Sequence, residues 1–242
     1  MKRSNMLLIA AVLITIVCLT IYNYKLKGIY LTREYKNAYR GMTFKPLKNV
    51  EKLIINSANL LDIEVKQSNT EGVWIQNKWQ NDLKLSLNDN ALTVDFKPDS
   101  GRLELALASG NKIIILTKDL NSIKTAAATF PDNEGRASLY GNLEVKNYQT
   151  DLLDLSVSPL VTVKLSAMKI NTLNAAVGTK TGEAGQLILT ADNQIQTARF
   201  DVPGNGNLQL SDPKIIKTSY NLSNRARVNL DGKVLQQFKS GN

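Results

Sequence analysis

Gly185-Gln-Leu-Ile-Leu-Thr-Ala-Asp-Asn-Gln-Ile195, Gly206-Asn-Leu-Gln-Leu-Ser-Asp-Pro-Lys-Ile215 and Ala226-Arg-Val-Asn-Leu-Asp-Gly-Lys-Val234 follow one order: an alternating strand, an acidic turn and an apolar re-entry. Leu189, Leu210 and Leu230 hold the equivalent place, 21 and 20 residues apart. Val161-Thr-Val-Lys-Leu-Ser-Ala-Met-Lys-Ile170 is an earlier copy, with Leu165 lying 24 residues before Leu189. Second strands fall between the copies, at Leu173-Asn-Ala-Ala-Val177, Thr197-Ala-Arg-Phe-Asp-Val202 and Thr218-Ser-Tyr-Asn-Leu222. A period near 20 with two strands per copy predicts a stacked β-solenoid, in which each coil buries its apolar face only against its neighbours. A large β-sandwich is the other architecture that four imperfect copies allow.

Upstream of the repeats the apolar residues also alternate, at Leu61, Ile63 and Val65, at Val73 and Ile75, at Leu83, Leu85 and Leu87, at Leu92, Val94 and Phe96, and at Leu103, Leu105 and Leu107. Period two means strands with one buried face. Gln67-Ser-Asn-Thr-Glu-Gly72, Asn88-Asp-Asn90 and Pro98-Asp-Ser-Gly101 supply turn chemistry at hairpin spacing, which predicts an antiparallel meander over residues 51–117. No long helical periodicity follows residue 50. The predicted fold class is all-β, with a meander in the N-terminal half and solenoid stacking in the C-terminal half.

Residues 6–22, from Met6 to Tyr22, are apolar and uncharged and follow Lys2 and Arg3. Seventeen residues reach roughly 26 Å as a helix, the short end of a membrane span. A cleaved signal peptide would end in small residues, whereas Leu19-Thr20-Ile21-Tyr22 stand here, so a retained anchor is expected. Val17 before Cys18 is too bulky for a lipoprotein signal, and Cys18 reads as an ordinary apolar residue. The expected organisation is a short tail over 1–5, a transmembrane anchor over 6–22, a tether over 23–48, a β-rich head over 49–236 and a tail over 237–242.

The formal charge of +9 is concentrated near the anchor. Residues 23–48 hold Lys25, Lys27, Arg33, Lys36, Arg40, Lys45 and Lys48 against Glu34 alone. Setting these and Lys2 and Arg3 aside leaves 21 basic and 20 acidic side chains in the remaining chain. The head is therefore nearly neutral, which removes the electrostatic argument for a nucleic-acid partner. Tyr22, Tyr24, Tyr30, Tyr35 and Tyr39 are interleaved with the tether cations, a mixture suited to the lipid headgroup layer. Membrane lipid is the partner expected for anchor and tether. The positive-inside rule opposes an exported head, yet a large domain after one apolar segment near the start is most often translocated. The expectation is a single-pass protein with its head in the periplasm or at the cell surface.

The chain has no histidine, which removes the commonest general base and metal ligand, and its one cysteine excludes an intrachain disulfide. Asp192, Asp212 and Asp231 recur with the coils and, with Asn193, are candidates for a calcium site, although Asp is also an ordinary turn former beside Asn, Pro and Gly. Trp74 and Trp79 flank Gln76-Asn-Lys78 and are candidates for stacking on sugar rings; a strand tryptophan more commonly fills the core. Asp151 with Asp154, and Asp132 with Glu134, are carboxylate pairs in sequence only. No catalytic residue and no cofactor is expected.

Phe44-Lys-Pro-Leu-Lys-Asn-Val-Glu-Lys-Leu-Ile-Ile55, Leu83-Lys-Leu-Ser-Leu-Asn-Asp-Asn-Ala-Leu-Thr-Val94 and the coils ending at Leu230-Asp-Gly-Lys-Val234 resemble the GIN-type head domain of "putative autotransporter adhesins", over roughly residues 44–236. The resemblance implies an all-β fold with right-handed β-helical stacking, an envelope location and no established activity. The expected role is structural or adhesive, toward an envelope polymer or protein. The alternative is a bitopic lipid-handling protein of the lipopolysaccharide-transport type with an apolar β groove.

Overall fold

The computed structural model describes residues 3–32, 37–97, 111–128 and 140–240. The chain divides into two units, Met1–Met42 and Thr43–Asn242, each described by itself.

The first unit is a helix over Arg3–Thr32. Its run Asn5–Leu31 is long and apolar enough to cross a membrane, a description that a signal sequence also meets. Thr15 and Thr20 donate their hydroxyls to the carbonyls of Ala11 and Ile16 at 2.9 and 2.8 Å, so neither polar group needs water. The helix passes beyond Tyr22, placing Tyr24, Lys25, Lys27 and Tyr30 on helical backbone where the sequence suggests a tether. Lysine is as good a helix former as leucine, so the onset of charge at residue 25 does not end the helix. Tyr39 and Arg40 lie in a turn closed by hydrogen bonds from Arg40 N–H to Asn37 O and from Met42 N–H to Tyr39 O, both 3.1 Å. Arg33, Tyr35 and Lys36 lie outside the described residues.

Among the described residues the second unit is all-β apart from short turns and a C-terminal helix, Gly232–Ser240. Nine strands form the first sheet, in the order β1 (Met42–Pro46), β4 (Gly72–Gln76), β7 (Lys112–Thr117), β3 (Asp62–Gln67), β9 (Gly141–Lys146), β11 (Val161–Ser166), β13 (Gly185–Leu189), β15 (Gly206–Ser211) and β17 (Arg227–Asp231). Eight form the second, in the order β16 (Lys214–Leu222), β14 (Gln194–Val202), β12 (Lys169–Val177), β10 (Gln149–Val157), β8 (Ser122–Thr125), β2 (Lys52–Ile55), β6 (Ala91–Phe96) and β5 (Leu83–Asn88). Both sheets are open and mixed, and their inner faces share one hydrophobic core.

From β9 onward the chain crosses between sheets at every turn, and from β10 onward each strand pairs in parallel with the strand two before it. The leucine period of the sequence is the register of the first sheet: Val145, Leu165, Leu189, Leu210 and Leu230 stand side by side, and Val65 and Ile115 extend the row upstream. Leu92, Leu53, Ile123, Leu155, Ala175, Phe200 and Tyr220 form the matching inner row of the second sheet. Most of these side chains are sealed from solvent, each buried leucine being worth about 1.5–3 kcal/mol. The strands β10, β12, β14 and β16 bend at Asp151, Asn171, Gln196 and Ile216, positions that the pairing skips.

The meander expected over residues 51–117 is corrected by the pairing. Among the described residues there, β5/β6 and β4/β7 pair antiparallel, while β2 pairs in parallel with β6 and β8, and β3 with β7 and β9. Asn88-Asp-Asn90 does make the expected hairpin, with Asp89 and Asn90 both at positive φ as a type I′ turn requires. The turn at 67–72 does not make one. β7, with Ile113, Ile114 and Ile115 all buried, takes the place between β3 and β4, since a strand apolar on both faces is best placed inside a sheet. Pro98-Asp-Ser-Gly101 and the Leu103–Leu107 alternation lie outside the described residues.

Crossings between sheets bring backbones very close. A Cβ on Gly141 would stand 1.8 Å from the Ala58 carbonyl oxygen, a rigid neighbour that leaves no room for any other residue. Gly141→Ala is expected to destabilise the head as strongly as the cavity variant Leu189→Ala, about 2–5 kcal/mol, and Gln186→Ala on the outer face by under about 0.5 kcal/mol. Urea denaturation of the three variants checks this ranking.

Candidate binding surfaces on the outer sheet faces

With the inner faces packed, the chemistry of the head lies on the outward residues of each strand. On the second sheet these form rows across β8, β10, β12, β14 and β16: Ser122, Asp154, Asn174, Arg199 and Ser219 in one, Lys124, Ser156, Ala176, Asp201 and Asn221 in the next. The two rows bound a trough of about 620 Å³. Asn174 Nδ2 donates to Asp154 Oδ1 at 2.8 Å and Arg199 reaches Asn174 Oδ1 at 3.4 Å, while Asn221 Nδ2 donates to Asp201 Oδ1 at 2.8 Å. At the bend, Asn171 Nδ2 donates to Asp151 Oδ1 at 2.6 Å. Asp151 and Asp154 are thus amide acceptors in a ladder, and Asp132 and Glu134 lie outside the described residues.

On the first sheet, the triplets Glu64-Val-Lys66 and Glu144-Val-Lys146 pair residue for residue. Like charges stand opposite one another, and lysines resolve the conflict. Glu64 accepts Lys66 at 3.0 Å, Lys112 at 3.3 Å and Lys146; Glu144 accepts Lys164 at 3.0 Å and Lys146 at 3.6 Å. Burial pushes the Glu64 carboxyl up, but hydrogen bonds from Lys146 and Lys66 and the charges of Lys66 and Lys112 outweigh it and hold it at about 2. The hydrogen bond from Lys164 likewise lowers Glu144, and its bond to Glu64 raises Lys146.

Trp74 stands on this same outer face, half-buried beside Ile114, with Phe44 against it at 5.0 Å between ring centroids. Phe44 lies over Gly72, where a Cβ would meet its ring at 2.4 Å. Trp79 points the other way. It is 2% exposed and packs edge-on against Phe96 at 5.4 Å, so it offers no platform to a sugar.

The three aspartates do not converge. Leu210 pairs with Leu230, which sets Asp231 opposite Ser211, one residue out of step with Asp212. Asp212 caps the following turn by accepting the Lys233 N–H at 2.8 Å, and the Thr190 hydroxyl and a backbone hydrogen bond from Ala167 hold Asp192 below the usual carboxylate range. Asn193 is buried and fully used as a staple: its Nδ2 donates to the carbonyls of Leu165 and Thr190 at 2.7 and 2.9 Å, and its Oδ1 accepts the Met168 N–H at 3.0 Å. Among the described residues no group of three or more acidic or thiol side chains could hold a metal ion.

The amide and lysine ladders were open to sequence reasoning. Asp151/Asn171, Asp154/Asn174 and Asp201/Asn221 are each spaced by 20 residues, and the Glu-Val-Lys triplet is written twice.

No family model and no curated protein matches the chain. Solved structures do. A putative adhesin from Parabacteroides distasonis ATCC 8503 superposes with a TM-score of 0.52 at 13% identity, over 79% of this chain and 73% of its own. A putative adhesin from Bacteroides fragilis NCTC 9343 matches at 14% identity over 78% and 95%, with a TM-score of 0.48. A putative lipid-binding protein from Parabacteroides distasonis ATCC 8503 matches at 13% over 80% and 98%, with a TM-score of 0.35. The first of these establishes a shared all-β fold.

The Glu64 cluster predicts a pH dependence. A folded-state pKa near 2 against an ordinary 4.5 gives stabilisation that is complete above about pH 4.5 and is lost as pH falls toward 2. Urea titrations across that window should show the decline in the native chain and a flatter profile in Glu64→Gln, which is also the less stable of the two at neutral pH.

Proposed function

We propose that this chain is a non-catalytic binding module, held at a cell-envelope membrane by its N-terminal helix and displaying an exported head of structural or adhesive role. The observation that carries this reading is the contrast between the two sides of the second sheet. Its inner row is packed shut, while its outer face presents a trough across five strands, edged by polar side chains over a largely apolar lining. A ligand therefore meets the surface. The alternating course between sheets supports a β-helix-like stack of the kind seen in the GIN-type resemblance, and parallel strands joined by crossovers are right-handed almost without exception. The near-neutral head argues against nucleic acid as partner, and the fold shared with a putative adhesin accords with an envelope polymer or protein instead.

One observation favours the lipid-handling alternative. At the C-terminal end, the core-side residues Val228 and Leu230 are only partly covered, and with Leu235 they border a space of about 630 Å³. Full-length protein recovered from membranes and analysed by lipid mass spectrometry separates the two readings, with stoichiometric acyl lipid overturning the adhesive one. The trough has its own test. Ala176→Trp, in one of the bounding rows, obstructs it without entering the core, and is expected to weaken retention of the chain on isolated envelope material about tenfold or more, the scale of one lost anchoring contact. Unchanged retention would remove the trough from consideration. Protease added to spheroplasts should digest the head, as export requires.

A further inference from the structure

The lysine cluster on the first sheet carries more positive charge than its fold role needs. Four ammonium groups, of Lys66, Lys112, Lys146 and Lys164, surround two carboxylates that remain ionised at neutral pH. A cross-strand ladder that only balanced charge would use equal numbers. Asp62, exposed on the same face and opposite Lys112 in the register, is a third carboxylate, so the surplus is one positive charge on a head whose remaining charge is otherwise close to zero. The lysine side chains are between 29% and 45% exposed, and each ammonium has three donors, so their heads keep N–H groups directed to solvent.

Beside this surplus the same face is built differently. Trp74 pairs with Ile114 and Ile114 with Glu64, so the tryptophan lies two strands, about 10 Å, from the centre of the cluster. Ile114 is completely buried between them, and Phe44 backs the indole. One residue beyond the Ile75–Ile113 pair, Gln76 follows on β4 and Lys112 on β7, and the Gln76 side-chain oxygen is a buried acceptor with no hydrogen-bond partner among the described residues. A cationic cluster, an aromatic ring and an unmet acceptor therefore share one stretch of sheet.

We infer that the outer face of the first sheet binds a phosphorylated sugar, with its phosphate on the ammonium groups of Lys66, Lys112, Lys146 and Lys164 and its ring against Trp74. A phosphate monoester carries about −1.5 to −2 charge at neutral pH, opposite in sign to the surplus. Its oxygens accept the free ammonium donors, while the apolar face of a sugar ring suits the indole. This site is separate from the trough and stands whether or not the trough binds polymer.

The test is calorimetric titration of the full chain in detergent micelles with glucose 6-phosphate, inorganic phosphate and glucose, alongside flotation with phosphatidylglycerol vesicles. Saturable binding of glucose 6-phosphate, tighter than that of inorganic phosphate and absent for glucose, is expected. The double variant Lys112→Gln, Lys164→Gln should bind both phosphates about tenfold more weakly or worse, the loss of at least one charge-assisted hydrogen bond. Trp74→Leu should weaken glucose 6-phosphate alone and leave inorganic phosphate unchanged, a split that a misfolded face would not produce. No saturable binding, or equal binding by the lysine variant, overturns the inference. So does equal weakening of both phosphates by Trp74→Leu. Vesicle binding that needs the same lysines and is not displaced by glucose 6-phosphate would make the face a membrane-docking surface instead.

Discussion

Everything in the head depends on like residues stacking on like in register. Leu165, Leu189, Leu210 and Leu230 each rest on the equivalent residue of the strand before. Parallel pairing makes this possible, because it repeats the same environment at every step, and it makes the turns obligatory. Asn147, Ala167 and Asp212 are held at positive φ where the chain leaves a strand of the first sheet, a conformation costing non-glycine residues roughly 1–2 kcal/mol. Packing on both sides offsets that cost. Asn193 secures one such turn, and Tyr148, buried and hydrogen-bonded to Thr117, another; burial pushes its hydroxyl pKa up to about 12, so it remains a neutral donor.

The same register that fixes the inside organises the outside. A side chain one residue from a core position appears on the outer face, and its equivalents in neighbouring coils fall beside it. Asp opposite Asn gives hydrogen-bonded rows on the second sheet. Glu opposite Glu on the first sheet would repel, and the surrounding lysines turn repulsion into a network. Glu64 is buried and its pairs stabilise the head, whereas the more exposed pairs contribute little one at a time and matter chiefly for the surface they make.

Much of this was legible in the sequence. The leucine period predicted the pairing partners, alternation predicted the strands, and Asn88-Asp-Asn90 predicted the one hairpin whose turn residues dictate it. What eluded reading was which strands meet when the period is lost. Between residues 51 and 117, alternation marks strands without naming neighbours, and β7 enters between β3 and β4 on the strength of an isoleucine run that does not itself specify a position. The aspartates misled because recurrence in sequence is not recurrence in register: a one-residue offset separates Asp212 from Asp231. The tryptophans differed because Trp74 lies in a strand and faces outward, whereas Trp79 ends a short 3-10 turn that tips it into the core.

Because each strand from β10 onward pairs only with the strands two before and two after it, length in this head is a quantised variable. Duplicating one unit of about 20 residues would add a strand to each sheet, extending both outer faces by about 4.8 Å while leaving every existing contact but the terminal one in place. Deleting one would shorten them equally. The reach of the surface can thus be altered by recombination between repeats, without redesign of its interior.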